Sequence, residues 1–207
     1  MRFASLLVYT PRSRDPENEG LGPRRVMFGV KGARPDVLER VAVRCSEFRD
    51  TEFADFFTPA STLVPVPTSA PARAPDTLWP GLSMAEALLG QGLGRNVRKL
   101  LVRTVRVPKA HRQSAVDRPR MEELADSLEW RGDLGSNLER IILVDDVVTR
   151  GTTFLAAREV IHRAQPWLEV CGFAAVRTMS FDVVTQPLSP AIGTVKLQPH
   201  GWGHRDP

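Results

Sequence analysis

Two adjacent carboxylates and a short segment of threonine and glycine form the part of the sequence best suited to bind a ligand. Asp145 and Asp146 directly follow four aliphatic residues at 141–144, and the string TRGTT occupies 149–153. Burying two neighbouring carboxylates without partners costs roughly several kcal/mol for each, so we expect them at the edge of the core. Carboxylates only accept hydrogen bonds, so this pair suits the two hydroxyls of a ribose or a divalent cation.

The segment after the acids has the composition of a phosphate-binding loop. Apolar residues at 154, 157, 160, 161 and 164 predict an amphipathic helix that begins near Thr152. The first amide groups of a helix lack internal partners and favour an anion. Gly151 allows the backbone to approach that anion closely, and three hydroxyls add further donors. These hydroxyls belong to Thr149, Thr152 and Thr153. The ligand implied is a sugar phosphate.

The aliphatic run predicts the element that positions this chemistry. Residues 141–144 contain no polar side chain, which is typical of a strand buried on both faces of a parallel sheet. Ligands of such α/β proteins bind at the carboxyl edge of the sheet. A P-loop ATPase would need G-x-x-x-x-G-K-[ST] upstream, and that string does not occur. A receiver domain carries its acids after the first strand without a phosphate loop, and a simple strand-to-helix turn is the remaining alternative.

The stretch from Ile141 to Thr153, IILVDDVVTRGTT, closely resembles the PRPP (phosphoribosyl pyrophosphate) motif of the type I phosphoribosyltransferases. The resemblance implies that Asp145 and Asp146 bind the ribose hydroxyls and magnesium. It also implies that the loop Thr149, Arg150, Gly151, Thr152 and Thr153 binds the 5′-phosphate. The implied fold is α/β, a twisted and mainly parallel sheet flanked by helices with a small hood.

Two further segments are similar to the subgroup related to the competence protein ComF. The strand predicted at Thr62 to Val66 ends in V-P-V-P, which resembles a pyrophosphate loop and assigns that role to Pro67, Thr68 and Ser69. The basic segment from Arg103 to Arg120 resembles the flexible loop of the subgroup. On this reading its cations close over the pyrophosphate and exclude water, and the catalytic candidates are Lys109, Arg106 and Arg112.

The acceptor site is the least constrained part of the resemblance. Thr178, Met179 and Phe181 follow a strand predicted at 168–176 and are the candidate acceptor contacts. In 6-oxopurine enzymes of the family an acid stands at the position of Thr149, which argues against that substrate. The four-cysteine zinc element of many ComF proteins is missing, and W-P-G-L-S at 79–83 replaces R-G-F-N-Q. Both differences argue against a role in competence.

Length and composition predict one domain over residues 1–207. The resemblance implies that it is phosphoribosyltransferase-like, with a core at about 50–181 and a hood from 1–49 and 182–207. No apolar run approaches the ~20 residues of a membrane span, so we expect a cytoplasmic protein without membrane contact. The net charge of +4 fits an anionic substrate or nucleic acid. The other predicted elements are strands at 2–9, 97–107 and 192–197, a helix at 35–48, and a helix at 82–93 capped by Ser83.

The function these observations favour is enzymatic: a glycosyltransferase of nucleotide metabolism that transfers a phosphoribosyl group from magnesium-bound PRPP to a nitrogenous base and releases pyrophosphate. One alternative is a non-catalytic sensor of PRPP or a nucleotide, or a ComF-like accessory protein of DNA uptake with a DNA-processing partner. A pure DNA-binding protein that uses its arginines is the third; its affinity would fall steeply with salt. The resemblance also leaves a homodimer open.

Overall fold

The computed structural model describes residues 1–10, 21–71, 78–108, 119–132, 138–179 and 186–207. The strands are β1 Arg2–Tyr9, β2 Ser61–Pro65, β3 Asn96–Val97, β4 Leu101–Arg103, β5 Leu128–Trp130, β6 Arg140–Val148, β7 Glu169–Thr178, β8 Leu188–Leu197 and β9 Gly203–Asp206. The helices are α1 Leu21–Lys31, α2 Pro35–Glu47, α3 Pro80–Gly90, α4 Met121–Asp126 and α5 Thr152–Ala164.

Seven strands form one sheet in the order β3-β2-β6-β7-β1-β8-β9. The pairs from β3 to β1 are parallel, and β8, near one edge, is antiparallel to both of its neighbours, β1 and β9. The remaining two strands, β4 and β5, form a separate antiparallel pair. This architecture confirms the predicted α/β class with a mainly parallel sheet flanked by helices.

The aliphatic run of β6 is buried on both faces of the sheet, as its composition predicts. Ile142 and Val144 belong to the core shared with α1, α2 and α3, whereas Ile141 and Leu143 belong to the core shared with α4 and α5. All four side chains are completely inaccessible to solvent. Because helices cover both faces of the sheet here, neither face of this run is exposed to solvent, and all four of its side chains are apolar.

The strand order changes direction between the neighbouring strands β2 and β6, which makes this position a topological switch point of the sheet. The connection through α3 leads from β2 outward to β3, whereas the connection through α5 leads from β6 the other way, to β7. Two neighbouring strands whose connections diverge leave a crevice at their carboxyl ends, and ligands of open α/β sheets bind in such crevices. The fold therefore places a binding crevice between the ends of β2 and β6.

Several predicted elements differ from those of the structure. The strand predicted at 97–107 is wrong: its residues form the short β3 and β4, separated by an irregular turn. Ser83 does not cap α3, since that helix begins one turn earlier, at Pro80 after Trp79. The predicted strand at 192–197 is the second half of β8, which continues into a hairpin with β9. Helix α4 and strand β5 were not predicted from the sequence.

Of the helices in the described part of the chain, none is long and apolar enough to cross a bilayer.

Candidate functional site

A cleft of about 520 Å³ opens at the carboxyl ends of β2 and β6. Its walls include the two acids, the TRGTT loop and residues 66–69. The last of these belong to the stretch 64–70, called the V-P-V-P segment below. The sequence had suggested all three as parts of one site. Residues from five further regions complete the walls, namely Lys31, Leu78, Trp79, Pro80, Gly81, Arg103, Val107, Pro108, Pro119, Leu124 and Trp202. Sites for small molecules usually have volumes of about 300–1,000 Å³, so the cleft has the size of a ligand site.

The two acids lie within β6, which continues to Val148, and not beyond the strand as expected from the sequence. They face the cleft because the neighbouring strand stops earlier: the last residue of β2, Pro65, pairs with Val144. After one more bond, from the amide of Val66 to the carbonyl of Val144 at 2.9 Å, the chain turns away. Asp145 and Asp146 are consequently half-buried, with β7 on one side and the cleft on the other.

The two acids of the pair lie close together at the cleft. Oδ1 of Asp145 accepts a hydrogen bond of 2.9 Å from the amide of Asp146. Burial, followed by the neighbouring charge of Asp146, raises the pKa of Asp145 well above its usual value. Two carboxylates held this close repel each other unless a cation or hydrogen-bond donors compensate their charge. The pair is therefore suited to a ligand that brings positive charge or hydroxyl groups.

The residues that follow β6 form a tight loop leading into α5. Gly151 is the N-cap of α5 and has φ 77° and ψ 9°, a left-handed conformation that favours glycine. The amide of Leu155 donates to the carbonyl of Gly151 at 3.1 Å, which is the first bond of the helix. All five residues at 149–153 line the cleft. The predicted phosphate loop thus reaches the cleft together with the start of the helix.

The V-P-V-P segment forms the opposite wall. The carbonyl of Thr68 accepts a hydrogen bond of 3.1 Å from Nε of Arg103, and the carbonyl of Ser69 accepts one of 2.8 Å from the amide of Val107. The hydroxyl of Thr68 bonds within the segment, to the carbonyl of Ala70 at 2.9 Å. The conformation of the predicted pyrophosphate loop is therefore held by the residues at the base of the basic segment.

A second helix also begins at the cleft. Helix α3 starts at Pro80, and a Cβ added to Gly81 would lie 2.8 Å from the carbonyl oxygen of Val144, so only glycine allows this approach to β6. The indole of Trp79 donates to the carbonyl of Val66 at 2.6 Å and fixes the turn before the helix. The amino ends of α3 and α5 thus face one cleft from two sides, and both favour negative charge.

Arg103 is the buried cation of the site. Only 4% of its surface is exposed, and besides Thr68 it donates to the hydroxyl of Ser127 and to the carbonyl of Leu124 at 3.4 Å. Burial lowers the pKa of Arg103 to about 10, and the charge of Asp145 opposes that shift. The guanidinium therefore remains protonated at neutral pH, between the V-P-V-P segment and the acids.

The other predicted site residues have varied positions. Arg106 is exposed and does not line the cleft, although its neighbours Val107 and Pro108 do. Lys109, Arg112 and Phe181 lie outside the described residues, and their roles stay predictions. Thr178 and Met179 are at the end of β7, where the carbonyl of Thr178 accepts a bond of 2.6 Å from Arg205 and the amide of Met179 donates to Tyr9. Neither residue lines the cleft.

Several residues of the cleft had no predicted site role, among them Trp79 and Trp202. Lys31, the last residue of α1, was noted only because Lys31-Gly32 resembles the opening segment of the ComF-like subgroup. Trp79 precedes Pro80-Gly81, a helix start that could have been recognised because proline is favoured in the first turn. No local pattern indicates Trp202, since it reaches the cleft through the β8–β9 hairpin.

The acids fit a magnesium ion that is shared with a phosphate ligand. Over the described residues no three His, Cys, Asp or Glu side chains come together in a way that could hold a metal. Magnesium, however, is usually held by one or two carboxylates together with waters and substrate phosphates. Asp145 and Asp146 supply that number of carboxylates beside the predicted phosphate loops.

We expect Thr152→Ala to weaken the binding of a phosphate ligand roughly ten- to a hundredfold, because a hydroxyl bond to a phosphate is charge-assisted and contributes about 1–3 kcal/mol. Titration calorimetry with ribose 5-phosphate measures the change. Thr10→Ala serves as the matched control, because Thr10 does not line the cleft. Wild-type affinity in the Thr152 variant would show that the phosphate binds elsewhere.

We expect Gly151→Ala to lower the free energy of unfolding by roughly 2–4 kcal/mol. A left-handed residue with a Cβ costs about 1–2 kcal/mol, and overpacking costs about 1–3 kcal/mol. The added Cβ would lie 2.6 Å from Cγ1 of Val195 in β8. Denaturant unfolding measures the difference, with Gly90→Ala as the control, since a Cβ at Gly90 meets no atom within 4 Å. Equal stability of the two variants would contradict this packing.

No protein-family model and no curated protein matches the chain. Among solved structures, a hypoxanthine phosphoribosyltransferase from Staphylococcus aureus aligns over 83% of this chain and 84% of its own. The sequence identity is 11% and the TM-score is 0.32.

Proposed function

We propose that this protein is a phosphoribosyltransferase that binds PRPP with magnesium and transfers its phosphoribosyl group to a nitrogenous acceptor, releasing pyrophosphate. One observation carries the proposal: the two acids, the TRGTT loop and the V-P-V-P segment line the same cleft. The V-P-V-P segment is far from the other two in the sequence. The resemblance to the type I family assigned the acids, the TRGTT loop and the V-P-V-P segment to the ribose, the 5′-phosphate and the pyrophosphate of one molecule, respectively.

The charged groups of the cleft support a ligand that carries both phosphates and hydroxyls. The amino ends of α3 and α5 lie at the cleft, and Lys31, Arg103 and Arg150 contribute cations to its walls. Over the described residues, the only carboxylates in those walls are Asp145 and Asp146. The cations and helix ends suit the phosphates of PRPP, and the two acids suit its ribose hydroxyls.

In the proposed reaction the bond between C1 of the ribose and the pyrophosphate oxygen breaks as the acceptor nitrogen bonds to C1. Positive charge develops on the ribose ring and negative charge on the departing pyrophosphate. Asp145 and Asp146 orient the ring through its hydroxyls, and the TRGTT loop fixes the 5′-phosphate. Arg103 and the residues of the V-P-V-P segment lie where the pyrophosphate charge would develop. Magnesium bound to the two acids would supply further positive charge to the phosphates.

Incubation with magnesium, PRPP and a panel of purine, pyrimidine and other nitrogenous bases tests the proposal through pyrophosphate release. We expect release with at least one base and none without a base beyond slow hydrolysis. Tight PRPP binding without release across the panel would favour the sensing function instead. Absence of PRPP binding would overturn both, and salt-sensitive DNA binding in its place would favour the nucleic-acid alternative.

A further inference from the structure

The β8–β9 hairpin packs directly on the TRGTT loop. A Cβ added to Gly203 would lie 2.5 Å from the carbonyl oxygen of Arg150 and 2.9 Å from the amide nitrogen of Thr152. No side chain larger than hydrogen fits between the two segments without displacing backbone atoms. Gly203 therefore allows β9 to touch the loop at the first residue of α5.

This contact determines how the hydroxyl of Thr152 can bond. The amide of Gly203 donates to Oγ1 of Thr152 at 3.0 Å. A threonine hydroxyl has one proton to donate and two lone pairs that accept. Because one lone pair is occupied by Gly203, the hydroxyl proton is available to an acceptor on the other side. Thr152 is half-buried and lines the cleft, so that acceptor would be a ligand oxygen.

Arg205 holds the same loop at its other end. Nε of Arg205 donates to the carbonyl of Thr149 at 3.1 Å, and Nη2 donates to the carbonyl of Thr178 at 2.6 Å. Its guanidinium also lies over the ring of Phe3, 5.7 Å from the centroid. The guanidinium thus joins the first carbonyl of the loop to the end of β7, and the backbone of residues 149–152 is supported by β9 from both ends.

The tip of the hairpin links the TRGTT loop to helix α4, which follows the basic segment. Trp202 lines the cleft, and the guanidinium of Arg150 lies over its ring at 5.4 Å from the centroid. One residue earlier, the carbonyl of Gly201 accepts a bond of 2.8 Å from the amide of Met121, the first residue of α4. The hairpin thereby connects the phosphate loop to the segment that follows the basic residues.

We propose that Gly203 and Arg205 are positioning residues of the phosphate site: they hold the TRGTT loop in its binding conformation and direct the Thr152 hydroxyl toward the 5′-phosphate. This inference rests on the proposed function and extends it to a part of the chain that the sequence left without a role. The two residues act through the loop and do not themselves contact the ligand.

Gly203→Ala is the first test. We expect its affinity for ribose 5-phosphate to fall roughly ten- to a hundredfold, the effect of losing one charge-assisted hydrogen bond. Its affinity for magnesium pyrophosphate, which the opposite wall binds, should stay within about twofold of wild type. Gly90→Ala, where a Cβ meets open space, should change neither affinity. An equal loss for both ligands would overturn the proposal, because it would indicate general disruption.

A double-variant comparison separates positioning from a structural role. If Gly203 acts through Thr152, then Gly203→Ala adds less than about a twofold loss once Thr152→Ala is present, because coupled sites are not additive. A full additional loss in the double variant would overturn the inference. Thr152→Ser keeps the hydroxyl and should bind ribose 5-phosphate with the affinity of the wild type. If Thr152→Ser loses as much affinity as Thr152→Ala, the inference is wrong.

Arg205→Gln provides a second route if Gly203→Ala does not fold. It removes the bridge between Thr149 and Thr178 and leaves the Gly203 contact in place. We expect a loss of about tenfold for ribose 5-phosphate and none for magnesium pyrophosphate. Unchanged affinity for both ligands would overturn the role of Arg205. If wild-type protein fails to bind ribose 5-phosphate, both proposals fail, whereas binding without pyrophosphate release removes only the transferase activity.

Discussion

The Asp145→Asn/Asp146→Asn double variant is expected to lose PRPP binding by roughly a hundredfold to ten-thousandfold while it keeps its fold. Each carboxylate bond to a ribose hydroxyl or to magnesium contributes about 1.5–3 kcal/mol, and the double variant weakens both. Stability should not fall, because burial and repulsion by the charge of Asp146 already raise the pKa of Asp145. Replacing them by neutral amides of the same shape removes that repulsion.

Titration calorimetry with magnesium PRPP measures the affinity, and thermal unfolding measures the stability of the same preparation. Asp50→Asn is the matched control, because Asp50 is exposed and does not line the cleft. Wild-type affinity in the double variant would refute the assignment of the ribose site. A double variant that unfolds at a much lower temperature would show that the acids have a structural role instead.

Arg103→Met is expected to have the second-largest effect, on stability and on pyrophosphate binding together. The substitution leaves the carbonyl of Thr68 without its donor and leaves Asp145 without its nearby buried cation. We expect the free energy of unfolding to fall by about 2–4 kcal/mol. Affinity for magnesium pyrophosphate should fall roughly tenfold or more, because the loop that carries Thr68 loses its anchor.

Arg103→Lys separates charge from geometry in this prediction. A lysine keeps the positive charge but lacks the planar fork that reaches Thr68, Leu124 and Ser127 at once, so its loss should be intermediate. Arg131→Met is the control, since Arg131 is exposed and its ion pair is with Glu129 at 3.0 Å. Wild-type pyrophosphate affinity in Arg103→Met would show that the anchoring of the loop does not matter for binding.

Local sequence patterns were sufficient to predict elements whose residues are buried at regular intervals. The uninterrupted aliphatic run of 141–144 predicted a strand buried on both faces, and the apolar spacing after it predicted the helix from Thr152 to Ala164. Both are confirmed, since burial on two faces and on one helical face each leave a periodicity in the sequence. The proline at 35 likewise marked the start of α2.

Local patterns failed where tertiary contacts decide the backbone. Alternating valines and arginines suggested one strand at 97–107, but only β3 pairs with β2, whereas β4 pairs with β5 in a separate sheet. The sequence also placed Arg103 at the start of a flexible basic loop, whereas the structure buries its side chain among backbone carbonyls. Pairing partners far away in the sequence determine both outcomes, and β-strand propensity alone does not encode them.

The sequence by itself determined the chemical groups of the candidate site and their order: two acids after a buried strand, a glycine-threonine loop, and the start of a helix. Tertiary structure alone decided what surrounds them. It brought the V-P-V-P segment to the opposite wall, buried Arg103 between them, and laid the β8–β9 hairpin on the TRGTT loop. The physical reason is the range of the interactions. Hydrophobic periodicity acts over a few neighbouring residues, whereas the cleft is formed by hydrogen bonds and packing between segments far apart in the sequence, such as that of Gly203 with Thr152 at a sequence separation of 51.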